Sequence, residues 1–173
     1  MQVIAVVGTK KSGKTTTTEI LTKELTKKGY KVAVIKHINE PDFTIDTPGK
    51  DTWRYARAGA KTVIGVATNE TVTIEKTATS SPSLEKLLKK CTGNDVVFIE
   101  GLKKIVAQNK EIPKIAVVKS ETEAENSLKT YKPIIAFSGP YNTQILYPKI
   151  PYANALTNPQ KLTDIIEKAK LKK

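Results

Sequence analysis

The run Gly8-Thr9-Lys10-Lys11-Ser12-Gly13-Lys14-Thr15 has the spacing G-x-x-x-x-G-K-T, which suits it to holding a chain of phosphates. Gly8 and Gly13 permit a tight turn whose backbone N–H groups face inward. The positive end of a following helix adds to their attraction for phosphate oxygens. Lys14 is predicted to reach the β- and γ-phosphates, and Thr15 to offer its hydroxyl to Mg²⁺. With Thr9, Lys10, Lys11, Ser12 and Thr16 they make the expected nucleotide-binding set. Such a loop needs a carboxylate at the end of another strand, holding the metal directly or through water. Glu100 fits: it follows the apolar run Val96-Val97-Phe98-Ile99, and Gly101 after it leaves the site open, with an ordinary strand-end carboxylate as the competing reading. Asp95 stands at the opposite end of that run, too far away. Asp46 is a second metal or water-positioning candidate, with a solvated loop residue as the competing reading. Lys50, Asp51, Arg54 and Arg57 could bind a second anion near the γ-phosphate. For the two arginines, the only ones in the chain, the alternative is a solvated helix face. His37 leaves a strand end toward the site, where it serves either a second ligand or a structural hydrogen bond.

The elements that must position these groups are legible in the pattern. Val3-Ile4-Ala5-Val6-Val7 is an unbroken apolar run, as expected of a strand buried on both faces. A helix follows from Thr16 to Lys28 and stops at Gly29. Val32-Ala33-Val34-Ile35 is the next strand and ends in Lys36-His37. A β-α-β unit with a phosphate loop in its first turn implies a parallel sheet covered on both sides. The segment from Ile38 to Asp51, with Pro41, Pro48 and Gly49, reads as a loop at the carboxyl ends of the strands, where open α/β sheets place ligands. Asp51 or Thr52 is expected to cap a short helix through Ala58. Val63 to Ala67 and Val72 to Ile74 predict an antiparallel hairpin around Thr68-Asn69-Glu70. Ser81-Pro82 is expected to open a helix with Leu84, Leu87, Leu88 and Cys91 along one stripe. Cys91 is therefore read as a core thiol, since no histidine is placed to activate it. Strands are predicted at Ile115 to Val118 and Pro133 to Phe137, and helices from Glu121 to Leu128 and from Asn158-Pro159 onward, the last ending in lysines. The architecture predicted is α/β, a three-layer phosphate-loop NTPase fold with a mostly parallel sheet and one antiparallel hairpin.

A length of 173 residues suits a single nucleotide-binding domain over 1–173. The formal net charge of +12 fits an anionic ligand, a nucleic acid or an acidic partner. The lysines are scattered and no aromatic-basic interleaving accompanies them, which favours a solvated surface over a nucleic-acid footprint. One cysteine excludes an internal disulfide, and one histidine argues against a histidine-based zinc cage. No apolar run approaches membrane-spanning length and no leader pattern is present, so a soluble cytoplasmic protein is expected. For the base, Val118-Lys119-Ser120-Glu121 keeps the lysine and the acid of the N-K-x-D guanine pattern but not its asparagine. Ser138-Gly139-Pro140 serves equally well as a wall of the base pocket.

Several of these motifs occur together in one family. The loop through Thr15, the strand end Ile35-Lys36-His37, the stretch Ile45-Asp46-Thr47-Pro48-Gly49-Lys50-Asp51-Thr52, the helix end Ala58-Gly59-Ala60, and Phe98-Ile99-Glu100-Gly101-Leu102-Lys103 resemble the molybdopterin-guanine dinucleotide biosynthesis protein MobB family. The P-G-K-D-[ST] loop and the E-G-x-K strand end are its specific marks. The resemblance implies a GTP- and Mg²⁺-binding protein that assists the attachment of GMP to molybdopterin. The chemistry of joining would belong to a MobA-like nucleotidyltransferase. It further implies a homodimer, weak GTPase activity at most, and Lys103 among the residues that meet a second ligand or partner. The chain departs from the family in lacking further histidines after Lys36-His37, where Ile38-Asn39-Glu40-Pro41 stands. Thr9 replaces the lysine that marks dimer-activated relatives such as the ParA and MinD ATPases. The competing function is a small-molecule or nucleoside kinase, which would need an arginine-bearing lid.

Overall fold

The computed structural model describes residues 1–40, 42–76 and 83–169. Two compact units are present, one of Met1–His37 with Leu84–Lys173 and one of Ile38–Ser83.

In the first unit five strands form a wholly parallel sheet. They are β1 (Gln2–Val7), β2 (Val32–Lys36), β5 (Val96–Glu100), β6 (Lys114–Val117) and β7 (Ile134–Ser138), in the order β2-β5-β1-β6-β7. The alternation along the strands sorts side chains into two cores. Ile4, Val6, Phe98, Ile115 and Val117 face one side, packed with Leu21 and Leu25 of α1 (Lys14–Lys27) and Leu162 and Ile166 of α6 (Pro159–Lys168). Ala5, Val7, Ile99, Ala116 and Phe137 face the other, packed with Val106 of α4 (Lys103–Val106) and Ala124 of α5 (Glu121–Thr130). Leu84 and Leu87 of α3 (Leu84–Lys89) join this second core. Each fully buried Ile or Phe contributes about 1.5–3 kcal/mol, so the central strands anchor whatever their ends carry.

The predicted strand at Val32–Ile35 forms, but as an edge strand, and Val34 is 47% exposed. An apolar run alone does not distinguish a central strand from an edge. Cys91 is buried, and burial raises its thiol pKa, as a core role requires. Asn158 caps α6 with its side chain and Pro159 stands at the first position. The predicted helix opening at Ser81-Pro82 lies outside the described residues, as do the lysines after residue 169.

The second unit holds α2 (Asp51–Arg57) and a two-stranded antiparallel sheet of β3 (Thr62–Val66) and β4 (Thr71–Glu75). The hairpin is where the pattern put it, but Val72 is exposed and Val63 alone of its strand residues is buried. Neither Asp51 nor Thr52 caps α2. The helix is flanked by Lys50, and the Thr52 hydroxyl instead donates to Asp46 Oδ1 at 2.8 Å. Among the described residues no helix is long and apolar enough to cross a membrane.

Candidate functional site

The phosphate loop joins the end of β1 to the start of α1, so its two flanks are fixed by the sheet and by Leu21 and Leu25 in the core. Gly8 sits at φ +149°, and a β-carbon there would lie 2.3 Å from the Val117 carbonyl oxygen and 2.7 Å from Ser12 Oγ. Only glycine allows the loop to lie this close to β6. The Ser12 hydroxyl is buried without a hydrogen-bond partner inside the loop. A buried hydroxyl left without a partner in a loop of this spacing suits a phosphate oxygen. Lys14 Nζ donates to the Thr9 carbonyl across the loop. Burial lowers the Lys14 pKa; Lys36 adds to this, whereas Glu100 opposes it.

Glu100 lies where the sequence predicted. It is 5% exposed, and the Thr15 hydroxyl donates to its Oε1 at 2.9 Å. A hydroxyl and a carboxylate side by side are the hard oxygen donors that Mg²⁺ takes, with phosphate oxygens and water completing its shell. Among the described residues no cluster of three or more His, Cys, Asp or Glu side chains could hold a metal by itself. The donor set thus fits a metal that arrives with a phosphate chain. Asp95, at the far end of β5, accepts from the Lys31 backbone N–H at 2.8 Å.

Two further side chains shape the site. Lys36 is the register partner of Glu100 across β2 and β5, and its ammonium pairs with Glu100 Oε1 and donates to Thr15 Oγ1 at 3.1 Å. Glu123, on the first turn of α5, accepts from Thr9 Oγ1 at 2.8 Å and from the Lys119 N–H at 2.8 Å. Burial alone would raise the Glu123 pKa, but these hydrogen bonds and the Lys119 charge lower it. Sequence reasoning assigned neither residue a role. Glu123 had a local signal, the Ser120-x-x-Glu123 capping spacing, and Ser120 Oγ does accept from the Glu123 N–H. Lys36 had only its place at a strand end, matching that of Glu100.

Beside the loop a cavity of about 270 Å³ opens, lined by Ser12, Thr16, Lys119, Pro140, Asn154 and Leu156 among others. Lys119, Gly139 and Pro140, expected at the base, line it, whereas Ser138, expected with them, is fully buried and does not. Glu121 is not: it opens α5 and is exposed, so the acid of the guanine-like pattern does not line this cavity. Asn154 to Leu156 form a lip that carried no sequence signal, and Leu156 is 70% exposed there. Its walls combine apolar side chains, Val117, Pro140, Ala155 and Leu156, with the polar groups of Ser12, Thr16, Lys119 and Asn154.

His37 and Lys103 also belong to this unit and are exposed. The His37 N–H donates to the Glu100 carbonyl at 2.9 Å. Gly101, at φ +94°, would place a β-carbon 2.7 Å from His37 Cβ, so this pair of strand ends is closely packed.

The other predicted residues lie in the second unit. Asp46 Oδ1 accepts from the Thr47 N–H and the Thr52 hydroxyl, and Oδ2 is buried without a partner. Arg54 meets Asp51 at 3.5 Å, and the Arg57 guanidinium lies 5.6 Å from the Trp53 ring centroid. Lys50 and Asp51 are exposed. A separate cavity of about 300 Å³ in this unit is lined by Asp46, Thr52, Val66, Glu70 and Ile74 among others.

Residues 3–139 match the family model described as MobB, molybdopterin guanine dinucleotide synthesis protein B. A molybdopterin-guanine dinucleotide biosynthesis adapter protein of Haemophilus influenzae is 35% identical over 120 residues, 68% of this chain and 64% of that protein. A Methanocaldococcus jannaschii protein given the same adapter name provisionally is 39% identical over 123 residues, 70% of this chain and 49% of its own length. The match therefore spans only half to two thirds of these relatives. Among solved structures, a molybdopterin-guanine biosynthesis protein B superposes with a TM-score of 0.73 at 21% identity, covering 96% of this chain and 97% of that one. Bacillus subtilis MobB does so with a TM-score of 0.73 at 22% identity, with the same coverage.

Proposed function

The chain belongs to the MobB family, molybdopterin guanine dinucleotide synthesis protein B, and from that premise we propose that it is a GTP-binding adapter in the attachment of GMP to molybdopterin. The observation that carries the reading is the phosphate loop set against Glu100, with the Thr15 hydroxyl 2.9 Å from the carboxylate. Gly8 to Thr16 would cradle the triphosphate, and the cavity lined by Lys119 and Pro140 would take the base. Thr15 and Glu100 would hold Mg²⁺, which when bound neutralises phosphate charge. Within the second unit Asp46, whose Oδ2 is buried without a partner, is by itself a candidate to hold a metal or a water. The joining reaction is left to a MobA-like nucleotidyltransferase, and the protein acts in the cytoplasm as a homodimer. Lys50, Asp51, Arg54 and Arg57 in one unit, and His37 and Lys103 in the other, are proposed to meet molybdopterin or the partner enzyme. The net charge of +12 would speed the encounter with acidic ligands.

The test measures the thermal midpoint with GTP and with ATP, each with and without Mg²⁺, and then hydrolysis by the pure protein. GTP with Mg²⁺ is expected to give the largest rise, and turnover to be slower than about one per second, since no arginine is offered to the transferring phosphate by the loop's own unit. No rise with either nucleotide rejects the reading. Fast turnover, or phosphate transfer to an acceptor unaided, replaces it with a GTPase or kinase.

Glu100→Gln keeps the shape and an acceptor for Thr15 but removes the charge. Mg²⁺-dependent nucleotide affinity is expected to fall about tenfold to a hundredfold, with the melting temperature near the parent's. A large loss of stability with unchanged Mg²⁺ dependence would make Glu100 a structural group instead.

A further inference from the structure

Among the described residues, Lys36 is the side chain at the phosphate loop whose charge runs against the proposed chemistry. Its ammonium contacts both oxygens that the proposed function assigns to Mg²⁺, Glu100 Oε1 and Thr15 Oγ1. The placement follows from the fold, because Lys36 and Glu100 are in register on adjacent parallel strands. The two partners differ in freedom. The Glu100 side chain is 6% exposed and fixed at the end of a central strand, whereas that of Lys36 is 45% exposed on an edge strand with a long flexible stem. A lysine ammonium and a divalent cation on one carboxylate oxygen repel each other at close range. Of the two, only Lys36 can move away into solvent.

We propose that Lys36 is a resident counter-cation which Mg²⁺ must displace, so that the metal enters only together with a nucleotide. To Mg²⁺ alone the site offers two protein oxygens, and the ion must expel a paired ammonium to reach them. A metal carried by a phosphate chain brings further oxygen ligands, and the phosphates give the displaced ammonium a new anionic neighbour. Lys36 is thus a positioning residue that sets the Mg²⁺ concentration at which the protein loads. This inference rests on the nucleotide and Mg²⁺ reading of the same loop.

The experiment titrates Mg²⁺ into wild type, Lys36→Met and Lys36→Gln, with GTP present and absent, following the thermal midpoint and the binding of a fluorescent GTP analogue. In both variants the Mg²⁺ midpoint is expected to fall about fivefold, the scale of a half-exposed ion pair. Mg²⁺ without nucleotide should also raise the variants' melting temperature and leave that of wild type unmoved. An unchanged or higher Mg²⁺ midpoint overturns the proposal, and a weaker one with weaker nucleotide binding makes Lys36 a phosphate ligand. Should the variants not fold, acetylation of Lys36 in wild type serves instead. Labelling is expected to change on adding Mg²⁺ with GTP but not on adding Mg²⁺ alone, and labelling unmoved by Mg²⁺ with GTP overturns the proposal. Wild type that binds nucleotide with ordinary Mg²⁺ dependence, beside unshifted variants, defeats this inference alone. Wild type with no nucleotide binding defeats the functional reading and this inference with it.

Discussion

Gly8→Ala is expected to abolish nucleotide binding and to lower stability by about 3 kcal/mol or more. Both penalties act at one atom. The φ of +149° is a conformation that a side chain resists, and the added β-carbon would stand 2.3 Å from the Val117 carbonyl oxygen. That oxygen belongs to β6, whose residues are all buried, so it cannot retreat. The loop must therefore lift from the sheet, carrying the Ser12 hydroxyl out of the position in which it is now buried. Equilibrium unfolding and GTP-analogue binding measure the two effects. An alanine variant that binds nucleotide like the parent would show that the loop's closeness to β6 is not needed.

Lys14→Ala acts on binding with the fold retained. The nucleotide affinity is expected to drop by about 3 kcal/mol, or roughly a hundredfold, the scale of one or two lost hydrogen bonds to a charged group. Stability should hold or improve slightly. The side chain donates to the Thr9 carbonyl, an acceptor within its own loop, and its cation is already disfavoured by burial. Calorimetry of GTP binding with a parallel melt separates the two, and undiminished affinity in a folded variant would refute the assignment of the loop.

What the sequence disclosed and what it hid divide along one physical line. Groups fixed by local chain geometry were legible. The glycine spacing gives the loop, the run Val96 to Ile99 places Glu100 at a strand end, and Asn158-Pro159 caps its helix as written. Groups fixed by which strand lies beside which were not. The pairing of Lys36 with Glu100 depends on β2 and β5 being neighbours in a given register, which no property of either segment encodes alone. The exposure of Val34 depends on the same neighbour relation. Asn154 to Leu156 reach the cavity through an irregular segment with neither period nor motif. Thr52 shows a smaller failure of the same kind, since its hydroxyl had two possible uses and a residue six positions earlier, Asp46, took it.

The carboxylate of Glu123 has a thermodynamic consequence. By holding Thr9 and Lys119 at once, it ties the glycine-rich loop after β1 to the turn after β6, residues 110 positions apart. Two loops stitched in advance have less disorder to lose when a ligand arrives, so more of the contact energy appears as affinity. The stitch also has a pH signature. Its carboxyl pKa is lowered from 4.5, so the stabilisation is complete above that value and fades as acid carries the pH through the lowered one. In acid the two halves of the binding surface would become independent, and a ligand that spans both would then bear the entropy of joining them.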